Sequence, residues 1–205
     1  MADIVITAAS VVAPQDVGRF RFGIRFGRLD PFCQLGLVAV EALGIDFSTQ
    51  PRSEVAICVA TNAGSLSTDV QYWQSRNEPG GVSPTLFVYT LPSTVIGEIA
   101  IRHGLTGPDL CLIGGSAELL DEAADLLRRN EAAVCLAVYC DVVSSLAAET
   151  IRLRAEARAC AAYLQRGGSG GYTLTKNDRD MISLCARLCS LREKDHHHGR
   201  VGCRA

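Results

Sequence analysis

The chain has 205 residues, enough for one large domain or a tight pair of small ones at about 150 residues per domain. Hydrophobic residues make up 48% and charged residues 20%, which excludes a disordered or fibrous polymer. A formal net charge of −2 and a pI near 6.1 leave no electrostatic footprint for duplex nucleic acid or an anionic membrane surface.

The first residues, Met1 to Ile6, carry no basic segment followed by an apolar stretch and a cleavage site, so no export signal is read. Ile4 to Val12 is short, β-branched and bounded by Pro14, the pattern of a buried strand. An arginine-rich loop follows from Arg19 to Arg28. Asp30-Pro31 then supplies an N-cap and a first-turn proline for a helix through Leu43, stopped by Gly44. Glu54 to Thr61 is apolar almost throughout, as a strand covered on both faces requires. A turn at 62–65 leads into a helix from about Ser67 to Ser75, and Pro84 and Pro92 bracket an extended apolar segment, Thr85 to Leu91. A helix from Pro92 or Ser93 to His103 ends at Gly104. Asp109 to Ile113 is a third strand, Ala117 to Arg129 a helix, and Ala133 to Tyr139 a fourth strand.

Beyond Asp141 the pattern weakens. Val142 to Arg154 suits a loop with a helical turn, and Ala157 to Gln165 suits either helix or strand. The glycine turn at 166–171, followed by Tyr172-Thr173-Leu174, favours a strand and a hairpin. Asn177 to Leu191 is an amphipathic helix with Met181, Leu184, Cys185, Leu188 and Leu191 on one side, and the tail from Arg192 is polar. Strands alternating with helices point to an α/β fold, a largely parallel sheet with helices on both faces. The expected division is one domain over 1–191 and a flexible tail over 192–205. The longest apolar run, Ala132 to Cys140, is nine residues, about half a membrane helix, so a soluble, intracellular (cytoplasmic) protein is expected.

Few residues announce chemistry. Ile113-Gly114-Gly115-Ser116 follows a strand and opens a helix, but lacks the lysine and glycine spacing of a nucleotide site. Ser116 there either caps the helix or sits at an anion or oxyanion site. As a nucleophile it would need a base, and the histidines, His103 and the tail's His196, His197 and His198, are not visibly placed for that. Nine cysteines (33, 58, 111, 135, 140, 160, 185, 189 and 203) are odd in number and irregular in spacing, so buried free thiols are expected over disulfides. Cys185 and Cys189, with Cys203, form at most an incomplete soft-metal set, so no metal and no cofactor is assigned.

Three stretches together resemble the amino-terminal half of the β-ketoacyl synthases, the thiolase-fold condensing enzymes of fatty acid and polyketide synthesis. They are Gly27 to Leu43 with its Glu41-Ala42-Leu43 end, the strand and glycine turn from Val55 to Gly64, and the run Val82-Ser83-Pro84 through Pro92-Ser93 to Gly104-Leu105-Thr106-Gly107-Pro108. Leu126 to Ala137 continues the likeness, which covers about Ile4 to Tyr139. The resemblance implies a thiolase-like fold with a mixed, mostly parallel sheet, a single half of the usual duplicated architecture.

Counted from Gly107-Pro108, the family's nucleophilic cysteine falls at Ser116, preceded here by Gly114-Gly115. A serine lacks the accessible thiolate that takes an acyl group from a thioester. The family's paired histidines belong to a second half, and none is carried over. A subunit of this kind resembles the chain length factors that pair with a catalytic ketosynthase in bacterial type II polyketide systems, shortened versions of which occur with aryl-polyene pathways. That resemblance implies a heterodimer serving an acyl carrier protein. It puts Phe87, Val88, Tyr89 and Thr90 at the acyl tunnel, where ordinary core is the other reading, and Asp109, Leu110, Cys111, Leu112 and Ile113 at the dimer seam. Two other readings stand beside it: a degenerate acyltransferase or thioester hydrolase using Ser116, and a homodimeric binding module for small molecules or acyl carriers. Arg19, Arg21, Arg25 and Arg28 are read either as a receptor for an acidic carrier protein or as partners of the chain's own carboxylates.

Overall fold

The computed structural model describes residues 3–20, 22–23, 25–152, 154–167 and 171–198. Among these residues, six strands form one sheet in the order β3-β2-β4-β5-β1-β6. They are β1 (Ile4–Val12), β2 (Val55–Thr61), β3 (Asp109–Ile113), β4 (Val134–Val143), β5 (Glu156–Arg166) and β6 (Tyr172–Thr173). Seven helices accompany them: α1 (Pro31–Glu41), α2 (Leu66–Ser75), α3 (Pro84–Val88), α4 (Thr94–His103), α5 (Ser116–Arg128), α6 (Ser145–Ile151) and α7 (Met181–His198).

Local chemistry explains most of the boundaries. The Asp30 carboxylate accepts the Cys33 amide at 3.0 Å and Pro31 takes the first helical position, so α1 starts where its sequence says. Gly104 closes α4 with φ 66°, a left-handed conformation that costs glycine nothing. Gly107 has a different reason to be glycine: a Cβ there would lie 2.3 Å from the Val55 carbonyl oxygen, where the chain enters β3 against β2.

Alternation along the strands divides the core in two. Val55, Ile57 and Val59 of β2 face a layer built by α1 and α4, with Val38, Val40, Val95 and Ile99 fully enclosed. Ala56, Cys58 and Ala60 face the opposite layer, where Leu119, Leu120 and Leu127 of α5 meet Met181 and Cys185 of α7. At roughly 25 cal/mol per Å² of apolar surface removed from water, these two layers dominate the stability of the fold.

The sheet corrects two expectations. Parallel pairing is confined to β2 with β3 and β2 with β4, whereas β4–β5, β5–β1 and β1–β6 are antiparallel, so the sheet is mixed without being mostly parallel. The cause is that β1 and β5 are not linked to their neighbours by helical crossovers of the β2–α–β3 kind. The expected hairpin between residues 157–165 and 172–174 does not form, because β1 lies between them and pairs with both.

Other differences are local. The segment 85–91 is not extended: Ser83 caps Leu86 at 3.3 Å and α3 forms. The loop over Arg19 to Arg28 starts where one 3₁₀ turn, Pro14–Arg19, ends and contains another, Phe26–Arg28. Val142 to Arg154 yields the end of β4 and α6, and α7 runs on to His198, past the expected boundary at 191. No helix among the described residues is long and apolar enough to cross a membrane.

Candidate functional site

Ser116 stands at the start of α5, directly beyond the β3 edge. Its hydroxyl is engaged on both sides: it accepts the Met181 amide at 3.1 Å and donates to the Arg179 carbonyl at 3.5 Å. One oxygen therefore ties the first turns of α5 and α7 together. Beside it opens a cleft of about 440 Å³ bordered by Asn62, Tyr139, Arg158, Arg179 and Asp180.

The wall of that cleft rests on a buried carboxylate. Asp141, fully enclosed, accepts the Thr61 hydroxyl at 2.7 Å, the Asn62 and Ala63 amides at 2.9 and 3.0 Å and the Tyr139 hydroxyl at 2.5 Å. Asn62 Nδ2 donates in turn to the Tyr139 hydroxyl at 2.5 Å. Burial, then the hydrogen bond and charge of Asp141, push the Tyr139 phenol well above its ordinary range, with Arg158 opposing. The network holds the turn after β2 against β4, and with it the mouth of the cleft. Sequence reading passed over Asp141, Asn62 and Tyr139; the only signal was an acid ending an otherwise apolar strand.

No side-chain base among the described residues hydrogen-bonds the Ser116 hydroxyl, and Asp180, which borders the same cleft, accepts from Ser183 instead. His103 closes α4, its ring 4.7 Å from the Phe47 ring, which in turn meets Tyr163. Phe47 and Tyr163 belong to the α1/α4 layer, across the sheet from α5. Burial pulls the His103 pKa below its ordinary value, Glu41 opposing and Arg102 assisting. His196, His197 and His198 lie outside the described side chains, and Cys203 and Arg21 outside the described residues.

Cys33, Cys58, Cys135, Cys140, Cys160 and Cys185 are buried thiols outside any disulfide. Cys185 and Cys189 turn toward the carbonyls of Ala161 and Ala9, at 3.6 and 3.4 Å. Among the described residues no three potential ligands gather around a common point for a metal ion.

The expected tunnel residues divide. Phe87 and Val88 are 60% and 56% exposed, while Tyr89 and Thr90 are half-buried, Tyr89 packing against the α1/α4 layer. Phe87 meets the Tyr72 ring at 5.6 Å, and Ser65 fixes the following turn by donating to the Thr90 carbonyl at 2.6 Å. The β3 residues Asp109 to Ile113 form an edge strand paired only to β2 within the sheet. Ile113 at its end is 68% exposed and, with Pro92, lies beside Gly64; Phe87, Val88 and Leu91, shortly before Pro92 in the chain, are exposed as well. The loop arginines are partly paired internally, Arg19 with Asp16 at 2.9 Å and Arg25 with Glu98 at 3.0 Å.

The family model for the β-ketoacyl synthase, N-terminal domain, matches residues 15–169. The chain belongs to that family. Its fold is one thiolase-like ketosynthase half, as three solved structures bear out. The ishigamide ketosynthase/chain length factor is 17% identical with a TM-score of 0.67, over 82% of this chain and 63% of that one. The ketosynthase ApeO in complex with its chain length factor ApeC from Xenorhabdus doucetiae is 16% identical with a TM-score of 0.65, over 82% and 81%. AntDE:AntF, a type II PKS acyl-carrier protein in complex with its hexaketide-bound ketosynthase, is 16% identical with a TM-score of 0.68, over 81% and 63%. This ketosynthase-like chain thus spans 63% of the first and third of these. No curated protein matches it in sequence.

Proposed function

We propose that this chain is a noncatalytic, chain-length-factor-type subunit that heterodimerises with a catalytic β-ketoacyl-ACP synthase and shapes its acyl tunnel, in cytoplasmic polyene, polyketide or fatty acid biosynthesis. The observation that carries the reading is Ser116. At the family's nucleophile position the chain holds a hydroxyl that bonds the backbone of Arg179 and Met181, with no side-chain base hydrogen-bonded to it among the described residues. A nucleophilic serine needs a base to take its proton, and here the hydroxyl proton points to a backbone carbonyl, which cannot serve as one.

The apolar end of the chain supports the partner half of the proposal. Edge strands with exposed large hydrophobics are normally covered on their free side, and β3, paired with β2 on the other, ends in the 68% exposed Ile113. The partner ketosynthase would supply cysteine and histidines and cover Asp109 to Ile113. Phe87, Val88, Tyr89 and Thr90 would then face the acyl passage, with acyl carrier protein as the third component.

The test is co-expression with a catalytic ketosynthase from the same genome, followed by mass determination and a malonyl-carrier condensation assay. The expected result is a one-to-one heterodimer whose activity survives Ser116→Ala. A homodimer that turns over acyl thioesters alone and loses that activity with Ser116→Ala would replace this reading by the hydrolase or acyltransferase.

A further inference from the structure

The cleft beside Ser116 carries a charge pattern that the serine does not explain. Arg158, near the start of β5, and Arg179, just before α7, border the same space of about 440 Å³. Arg179 is exposed and makes no ion pair among the described residues. Arg158 is 48% exposed, its contact with Glu156 is a long 3.7 Å, and its charge acts on the Tyr139 phenol in the cleft wall.

Two carboxylates border the cleft as well, and both are engaged. Asp180 accepts the Ile182 and Ser183 amides at 3.1 and 3.3 Å and the Ser183 hydroxyl at 2.6 Å, closing the first turn of α7. Glu118 folds back over the start of its own helix, where a Cβ on Gly115 would lie 2.9 Å from its Oε2. The guanidinium groups are far less committed. Each carries five N–H donors on a planar fork, the shape that takes two oxygens of one oxyanion. The α5 amides, which no side chain caps, add the positive end of a 13-residue helix. The lining also includes Ala117 and Ile182, both half-buried, so the cleft has an apolar portion beside its charged one.

We infer that this cleft binds a small phosphate monoester, its phosphate held between Arg158 and Arg179 and its organic part against Ala117 and Ile182. A free phosphate would leave the apolar portion uncovered, and a carboxylate offers fewer oxygens to two guanidinium groups. The inference concerns binding alone: it asks no chemistry of Ser116 and holds whether or not the chain pairs with a ketosynthase.

Isothermal titration calorimetry of the full chain in phosphate-free buffer, with glycerol 3-phosphate as the probe, tests it. Saturable one-to-one binding is expected, weakening as salt rises because both guanidinium groups are reached by solvent. Arg179→Ala and Arg158→Gln should each weaken it about tenfold, the loss of one charge-assisted contact, and both should keep the parent melting temperature because neither side chain is buried. Arg128→Ala, about 18 Å along α5 from Ser116, removes an exposed charge outside the cleft and should leave binding unchanged. Inorganic phosphate and acetate should both bind more weakly than the monoester. No binding of glycerol 3-phosphate, equal binding of acetate or of inorganic phosphate, or the same loss in Arg128→Ala as in Arg179→Ala would overturn the inference.

Discussion

The hydroxyl of Ser116 accepts the backbone N–H of Met181 at 3.1 Å, joining the starts of two helices 65 residues apart in the chain. It is a hydrogen bond between the first residue of α5 and the first residue of α7. Ser116→Ala removes it and leaves the Met181 amide to other partners. The expected cost is about 1 kcal/mol, seen as a fall in Tm of about 2–4 °C. Differential scanning fluorimetry decides: an unchanged Tm would mean the bond contributes nothing.

Asp141 should be far more sensitive. Asp141→Ala leaves the Thr61 hydroxyl, two amides and the Tyr139 phenol without their common acceptor in a closed interior. A loss on the order of 3 kcal/mol or more is expected, because each stranded donor keeps its desolvation penalty. Urea titration would register it as a lower midpoint. Asp141→Asn, which preserves shape but turns an acceptor into a donor at one oxygen, should fall between the variant and the parent.

His103 gives the stability a pH signature. Its native pKa lies below the ordinary 6.5 because burial disfavours the charged ring, and Nε2 is buried without a hydrogen-bond partner. On acidification the unfolded chain takes up this proton first. Stability should therefore be flat in this group above pH 6.5 and decline as pH falls from there through the native value. Asp178 and Asp180 act lower. Burial alone would raise Asp178, but hydrogen bonds from Thr175 and Tyr172 and the Arg187 charge carry it below its ordinary 3.8. Asp180 is held down first by the Ser183 hydroxyl. Their contribution is lost only on acidification through and below 3.8, so thermal melts between pH 7.5 and pH 5 should lose their slope in His103→Gln and keep it in Asp180→Asn.

The isolated chain should self-associate through its apolar end. Ile113→Lys and Phe87→Ser change residues that are 68% and 60% exposed, so neither should reduce Tm appreciably. Sedimentation velocity should show the double variant monomeric where the parent forms larger species. Persistence of those species in the double variant would direct attention to another face.

Most of this fold was legible where local chemistry decides. The β-branched run Ile4 to Val12, the Asp30-Pro31 start of α1 and the Gly104 stop are each set by neighbours within a few residues. What escaped depends on distant partners. Residues 85–91 have the composition of a strand, but Ser83 caps a helical turn and Ser65 holds its exit, a contact 25 positions away. The hairpin at 166–174 failed for the same reason, since only the assembled sheet brings β1 between β5 and β6. At the site, the sequence singled out Ser116 from its place after a strand and before a helix, and only the resemblance gave that place a role. Its bond to Met181 and the Asp141 network were invisible because they join residues 65 to 80 positions apart.

The pairing of Ile4 with Arg166 at one end of β1, and of Val12 with Ala159 at the other, sets a timetable for synthesis. β1, made before the other five strands, cannot find either sheet neighbour until residues 156–173 have followed it. Until then Ile4, Val5 and Ile6 have no sheet to join and must be kept from other nascent chains. Contacts of such sequence separation form slowly. A translational stall before residue 156 would release a polypeptide with its β2–β4 layer in place and its own first strand adrift.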